Sequence, residues 1–303
     1  MRVLVTGASG LIGSSVCDAL LARADEVVGL SRDPARAATT NPKVAWHPWE
    51  ATSERPPAEA VEGADAVVNL VGEPLNQRLT EDAKRRILES RVSATRNLLQ
   101  AIEAAERRPR TLISQSAIGY YGDRGDAILD ESTGPGSGFA ARVPIEWEKA
   151  AGPAEELGLR LVILRSGLVL DRRGGLLKEL LLPFRLGLGG PIAGGRQFMS
   201  WIHIDDEIGL ILRALDDERF RGVLNATAPE PVTNREFSKA LGRALGRPAV
   251  LPVPKLALSV RLGGELADAA TESQRVVPRR ALDLGYDFRF REIEPALRDA
   301  LAR

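Results

Sequence analysis

One cysteine, two histidines and a 5% share of aromatic residues leave this 303-residue chain poor in the groups from which many sites are built. Cys17 has no partner for an internal disulfide. With His47 and His203 as the only imidazoles, the thiol and imidazole set that holds zinc cannot be assembled, so no metal site is expected. Cys17 reads instead as a small apolar filler. Net charge is also missing, because 41 Lys and Arg balance 41 Asp and Glu, and without a net field to gather a polyanion nucleic acid is not an expected partner. The pairs Arg107-Arg108, Arg172-Arg173 and Arg279-Arg280 are short and read as solvated surface. No uninterrupted apolar run of about 18 residues is present, so a membrane-spanning helix is excluded. Met1-Arg2 leads straight into Val3-Leu4-Val5 rather than into a cationic and then apolar leader, and a cytoplasmic location is therefore expected.

What is present is an ordinary globular composition, 44% hydrophobic and 27% charged, in a chain long enough for one or two domains. Short apolar runs at 2–6, 26–30, 66–70, 111–115 and 160–164 alternate with helical periodicity through Val16, Leu20 and Leu21, over 80–105, and over 139–157 despite Pro144. Strands buried on both faces and separated by helices predict an α/β fold with a doubly wound parallel sheet of Rossmann type. The stretch around Pro48 to Pro57 shows no clear period. Beyond Arg165 the pattern loosens into glycine-rich segments and helices near 176–188, 206–215, 234–245 and 292–301. This predicts a nucleotide-binding domain over 1–165 and a smaller substrate-side lobe with a helical tail over 166–303, some later strands returning to the main sheet.

The first strand is followed at once by Gly7, Gly10 and Gly13, which open the first helix. Glycines in that setting allow a tight turn, a close approach of backbone to a diphosphate, and packing of helix on sheet. The helix N-terminus offers unpaired N–H groups to the anion. Gly7, Ser9, Gly10, Leu11, Ile12 and Gly13 are accordingly the candidate diphosphate loop of a dinucleotide. At the end of the second strand an acidic side chain suits the ribose of NAD, and a basic one suits a 2′-phosphate. Ser31 and Arg32 stand there, a hydroxyl beside a guanidinium, which favours NADP over NAD. Asp33-Pro34 reads as the cap of the following turn or helix.

The spacing G-x-x-G-x-x-G, together with Asn69-Leu70-Val71-Gly72, Leu164-Arg165-Ser166-Gly167-Leu168-Val169 and Trp201-Ile202-His203-Ile204-Asp205-Asp206, resembles the extended branch of the short-chain dehydrogenases/reductases, the nucleotide-sugar epimerases and dehydratases. More narrowly, Ser116-Ala117-Ile118-Gly119-Tyr120-Tyr121-Gly122, Trp147-Glu148, the Leu182–Pro191 run, Val277-Pro278-Arg279-Arg280-Ala281 and Leu284-Gly285-Tyr286 resemble its atypical epimerase-like family, which carries a C-terminal segment of unknown function. The resemblance spans essentially the whole chain. It implies cofactor contacts from Leu70, Val71 and Gly72 on the adenosine and diphosphate side, and from Arg91 and Val169.

Ordinary members of that superfamily move a proton with a Tyr whose pKa is lowered by a Lys four residues later. Here Tyr120, Tyr121 and Tyr286 are followed four residues on by Arg124, Gly125 and Phe290, and the matching helix carries Phe139 and Val143 instead. The usual serine position falls on Ala117, one residue from Ser116. Ser114, Gln115, Ser116, Tyr120 and Tyr121 all follow the fifth strand, where ligands of parallel sheets bind. Among them Ser116 and Tyr120 are the catalytic candidates, with packing or substrate hydrogen bonding as the other reading. Arg124 would act on Tyr120 if the segment were helical, although Gly119 and Gly122 favour a loop.

His203 could serve as a base, but the His-x-Asp-Asp pattern resembles a strand-to-helix junction capped by the acid. Trp147 is expected to border the pocket or pack its helix, with Glu146 and Lys149 facing solvent. Gly187–Gly195, flanked by Arg185 and Arg196, is either a wall of the substrate cleft or a plain surface loop. A basic rim there would suit a small anionic or nucleotide-linked molecule. Two functions follow: an NADP-dependent oxidoreductase or epimerase with an unusual active site, or a catalytically silent NADP-binding redox sensor or regulatory protein. Monomer and homodimer both remain open.

Overall fold

Val3-Leu4-Val5, Val27-Val28, Val67-Val68 and Leu112-Ile113 are fully buried strand centres, as expected of runs covered on both faces. The computed structural model describes residues 1–75 and 77–302. In chain order the first half forms β1 (Arg2–Thr6), α1 (Leu11–Ala22), β2 (Glu26–Ser31), α2 (Pro34–Thr40), β3 (Ala45–Pro48), α3 (Ala58–Val61), β4 (Ala66–Asn69), α4 (Glu81–Ala104) and β5 (Thr111–Ala117). Then come β6 (Ile128–Leu129), α5 (Phe139–Ala151), β7 (Arg160–Ser166), β8 (Leu168–Leu170), α6 (Gly175–Arg185), β9 (Phe198–Met199), β10 (Trp201–His203) and α7 (Ile204–Asp216). The chain closes with β11 (Gly222–Ala226), β12 (Val232–Thr233), α8 (Asn234–Leu245), α9 (Lys255–Leu262), α10 (Gly264–Ala269), β13 (Arg275–Val276), α11 (Arg279–Asp283) and α12 (Ile293–Ala302).

Seven strands form one sheet in the order β11-β7-β5-β4-β1-β2-β3, every neighbouring pair parallel. Alternation along each strand divides the core. Val3, Val5 and Ile113 face α1 and α7 with Val16, Leu20, Ile208 and Ile211, while Leu4 and Leu112 face α4 with Leu98 and Ile102. From β1 the order runs outward in opposite directions, so the crevice beyond the carboxyl ends of β1 and β4 is the topological switch point at which such sheets bind ligands. A separate cluster around Trp201, Phe237, Phe184 and Leu297 joins α6, α8 and α12.

The doubly wound parallel fold is as the sequence predicts, and β11 returns from the late half to pair with β7. Two local readings need correction. The edge strand β3, paired to β2 through Ala45–Pro48, ends where the aperiodic stretch begins and has no counterpart in the sequence reading. The helix expected over 139–157 ends at Ala151 and passes into a 3-10 turn, Gly152–Ala154. No helix among the described residues is long and apolar enough to cross a membrane.

Candidate functional site

Gly7 turns the chain out of β1 at φ +62°, where an L side chain is strained. A Cβ there would also lie 2.8 Å from the Leu70 carbonyl oxygen and 3.1 Å from the Val71 nitrogen. Gly13 has no room for a Cβ against the Gly7 carbonyl, which lets α1 start close to the sheet. Gly10 caps α1 without a side-chain hydrogen bond, and no acid occupies the first turn. The first-turn N–H groups of α1 therefore face the crevice with no side-chain cap and no acid in their own turn. The floor is fixed by Thr6, whose hydroxyl donates to Asn69 Oδ1 (2.8 Å) and accepts from the Leu70 and Val71 nitrogens (3.0 and 3.2 Å). Asn69 Nδ2 and Trp147 Nε1 both donate to Thr95 Oγ1, at 3.0 and 3.1 Å. Trp147 thus ties α5 to α4 and, through Thr95 and Asn69, to the sheet.

Two positively charged groups stand on the β2 and α4 sides of this crevice. Ser31 ends β2 half-buried and accepts from the Asp33 nitrogen (3.2 Å), and Arg32 is exposed beside it. Asp33 caps α2 by accepting from the Arg36 nitrogen (3.0 Å), as the sequence suggested, so its carboxylate is engaged there. The second group is Arg91 of α4, only 8% exposed. Its Nη1 donates to the Ile87 carbonyl oxygen (3.1 Å), and the guanidinium lies 5.1 Å over the Trp147 ring. A Cβ on Gly72 would sit 2.9 Å from its Cζ. No carboxylate pairs with it among the described residues, and burial pushes its pKa down to about 10. Gly7 against Leu70-Val71, then Gly72 against Arg91, makes one continuous surface. Val169, half-buried in β8 beside Ile202, lies beyond the end of β7.

The catalytic candidates lie where β5 and β7 end, with Ser116 in register with Arg165. The Ser116 hydroxyl donates to Glu148 Oε1 (2.6 Å). Arg165 donates to both oxygens of Glu148 through Nε and Nη2, each at 2.8 Å, a bidentate and largely buried pair. Burial opposes the charge on Arg165, but the Glu148 carboxylate outweighs it and raises the guanidinium pKa. Nη1 of Arg165 donates to the Tyr121 hydroxyl (3.1 Å), which itself donates to Asn225 Oδ1 (2.7 Å). Burial pushes Tyr121 up to about 12 and keeps it a neutral structural phenol.

Tyr120 differs. Its ring stacks on Arg165, 3.3 Å from centroid to Cζ, and its hydroxyl has no hydrogen-bond partner among the described residues. The segment is a single 3-10 turn, Ile118–Tyr121, ended by Gly122 at φ +63°. The helical arrangement that would bring Arg124 beside Tyr120 is not formed: Arg124 donates to the Tyr121 and Pro135 carbonyls instead (3.0 and 2.8 Å). Gly119 brings this turn onto the first turn of α5, where a Cβ would lie 3.0 Å from the Ala140 carbonyl oxygen. Phe139 opens α5 half-buried and Val143 is buried in it.

On the opposite face of the sheet Gln115, Ser166 and Glu207 form a buried polar triad. Glu207 Oε1 accepts from Ser166 Oγ (2.6 Å) and from Gln115 Nε2 (3.2 Å), and burial pushes its carboxyl up to about 7. His203 caps α7 itself, Nδ1 accepting from the Asp205 nitrogen (3.2 Å), so the expected acid cap is corrected to an imidazole. Asp206 instead accepts from the Arg289 and Phe290 nitrogens (2.7 and 2.9 Å) and holds the tail. From the glycine-rich segment, Ala193, Arg196 and Gln197 line a cleft of about 400 Å³ with Asp123, Asp126 and Lys255.

Sequence reasoning did not single out the Arg165, Glu148, Tyr121 and Asn225 network, nor the separate buried Glu207. One signal was present: a charged residue, Arg165, directly after the buried run Leu161–Leu164.

Residues 3–226 match the NAD dependent epimerase/dehydratase family, and residues 253–300 match a domain of unknown function, DUF1731. The chain is 41% identical over 309 residues to the epimerase family protein SDR39U1 of Mus musculus, covering 100% of both chains. It is 38% identical over 300 residues to the chloroplastic SDR39U1 homolog of Arabidopsis thaliana, covering 98% of this chain and 86% of that protein. The crystal structure of human epimerase family protein SDR39U1 (isoform 2) with NADPH superposes with a TM-score of 0.89 at 37% identity, covering 100% of both chains. With the sheet, the glycine loop and the tail all matched, the chain belongs to the NAD dependent epimerase/dehydratase family, as one of its SDR39U1-like atypical extended short-chain dehydrogenases/reductases.

Proposed function

We propose that the protein binds NADP(H) at the Gly7–Gly13 loop and transfers hydride between it and a carbonyl or alcohol carbon of a small polar substrate. The observation that carries this reading is Arg91, a buried guanidinium with no ion pair among the described residues and only Glu73 acting on it at longer range, pressed against Gly72 at the edge of a crevice whose other wall is an uncapped helix N-terminus. A buried cation without its counter-charge is costly, and an anionic ligand is what offsets that cost. The residues present fit a dinucleotide: Gly7, Ser9, Gly10, Leu11, Ile12 and Gly13 for the diphosphate, with Leu70, Val71, Gly72 and Arg91 beside it. Val169 lies toward the nicotinamide end. Ser31 and Arg32 suit a 2′-phosphate, and NADPH is the ligand of the human relative. Bound there, the cofactor supplies the hydride.

Within the chain, Tyr120 is the proton donor or acceptor. Its hydroxyl has no hydrogen-bond partner among the described residues, and its ring lies on the Arg165 guanidinium, which holds the phenol in place. Ser116 gives its proton to Glu148, so it turns lone pairs toward a substrate and positions it. Residues after 165 supply the substrate side, and Arg196 and Lys255, facing Asp123 and Asp126 across the cleft, suit a polar substrate; an anionic or nucleotide-linked molecule is the class to test first. The silent-sensor reading draws on Phe139 and Val143, which carry no proton.

A panel of carbonyl compounds, including nucleotide-linked keto sugars, incubated with NADPH separates the two readings. Turnover that falls about 100-fold or more in Tyr120→Phe at unchanged NADPH affinity supports the enzyme. Equal turnover in that variant removes Tyr120 from the chemistry. Tight NADPH binding with no turnover across the panel favours the sensor.

A further inference from the structure

Arg172-Arg173, which the sequence alone places on solvated surface, lies in a loop that crosses from the second half of the chain onto the start of α1. Between β8 and α6 the chain runs Asp171-Arg172-Arg173-Gly174-Gly175. Gly174 packs so closely on Leu11, the first residue of α1, that a Cβ there would lie 3.1 Å from its Cδ2. One helical turn further, Arg173 Nη2 donates to Ser15 Oγ (2.8 Å).

The base of the loop is rigid. Asp171 is 0% exposed and accepts from the Arg173 nitrogen (2.7 Å) and from its Nε and Nη2 (3.0 and 2.6 Å). Gly175 then turns at φ +61° so that α6 can leave. A fully buried carboxylate spent on holding one arginine in place, with an exposed second arginine next to it, is an unusual construction for plain surface.

The position of the loop gives the construction a purpose. The floor of the crevice is the Gly7–Gly13 turn and the uncapped first turn of α1. On the β4 side stands Arg91, 8% exposed, with its Nε and Nη2 accepted by no group among the described residues. The arginine loop stands on the other side, over Leu11 and Ser15. Guanidinium groups thus flank the anion-binding helix end from both walls.

We propose that the Asp171–Gly175 loop is a clamp for the diphosphate of the bound dinucleotide. Arg173, oriented by Asp171, fixes the loop on α1, and Arg172 and Arg173 together supply its positive charge. This rests on the reading that a nicotinamide dinucleotide occupies the glycine loop. It adds a second group of contacts, contributed from the far half of the chain, that is blind to the 2′-phosphate.

Calorimetric titration of the full chain with NADPH and with NADH tests it. Arg172→Ala leaves the Asp171 anchor intact. The triple variant Asp171→Asn, Arg172→Ala, Arg173→Gln removes both cations without stranding a buried carboxylate, and its melting temperature shows whether it folds. The clamp requires Kd for NADPH and for NADH to rise together, about tenfold or more in the triple variant and less in Arg172→Ala, with the ratio between the two ligands unchanged. Kd values within twofold of wild type in a folded triple variant overturn the clamp, and so does a loss confined to NADPH, which would assign these arginines to the 2′-phosphate. Failure of the wild-type chain to bind either dinucleotide is a different result: it removes the cofactor reading on which the clamp stands.

Discussion

Single side chains carry the specificity of the crevice. Arg32 is exposed just after β2 and makes no ion pair among the described residues, and on the proposed reading it contributes to a ligand rather than to the fold. Charge-assisted hydrogen bonds of this kind are worth about 1.5–3 kcal/mol. Arg32→Ala is expected to weaken NADPH by about 10- to 100-fold and NADH by less than about twofold, read by calorimetry. The opposite holds for Arg165, which is 3% exposed and paired with Glu148. Arg165→Met leaves Glu148 with a buried uncompensated charge, and urea denaturation should show a loss of about 3–5 kcal/mol. The place of Ser31-Arg32 at the end of β2 was legible because a strand end is local in sequence. The network of Ser116, Glu148, Arg165 and Asn225 was not, because its members come from four different elements and meet only when β5, β7 and β11 are side by side and α5 is packed on them.

At the scale of elements, the strand–glycine–helix opening could be read directly, since the glycines, the buried strand and the helical period all agree. Gly13→Ala tests that unit. The added Cβ meets the Gly7 carbonyl, so α1 must move off the loop. We expect a stability loss of about 1–3 kcal/mol and NADPH binding weakened by at least about tenfold. α8 is equally local: Thr233 accepts from the Glu236 nitrogen and Glu236 answers on the Thr233 nitrogen, a complete capping box. Its start was visible at Asn234, and Thr233→Ala should cost about 1 kcal/mol in thermal or urea melts. β3 was not visible. Ala45-Trp46-His47-Pro48 has no apolar run, sits at the sheet edge and ends in proline, so only its pairing with β2 makes it a strand. The two-residue pairing of β13 with β6 is similarly a product of tertiary contact, with Ser273 accepting from the Phe198 nitrogen and donating to the Gly125 carbonyl to bring the tail onto the loop beyond Tyr120.

In the molecule as a whole, buried acids set the response to pH. Glu207 titrates near 7 because it is buried, above the ordinary carboxyl range. The folded chain therefore holds a proton that the unfolded chain has lost once pH passes about 4.5, and stability falls as pH rises from there to about 7, then levels. Asp206 and Glu131, both raised by burial, act in the same direction. Glu207→Gln should flatten that slope in urea melts taken from pH 5 to 8, and an unchanged slope would place the titration elsewhere. The division of labour across the molecule is consistent with these local features. On the proposed reading the crevice at the β1/β4 switch point takes an anion, while the ends of β5 and β7 present a tyrosine ring on a guanidinium, and later segments return to the sheet at β11 and to α1 at Gly174 and Arg173. The measurement that bears most directly on this account is calorimetric titration of the full-length wild-type chain with NADPH and NADH in parallel. Expected is one site per chain, with NADPH bound about 10- to 100-fold more tightly than NADH. No heat from either ligand, with the protein shown to be folded, would contradict it.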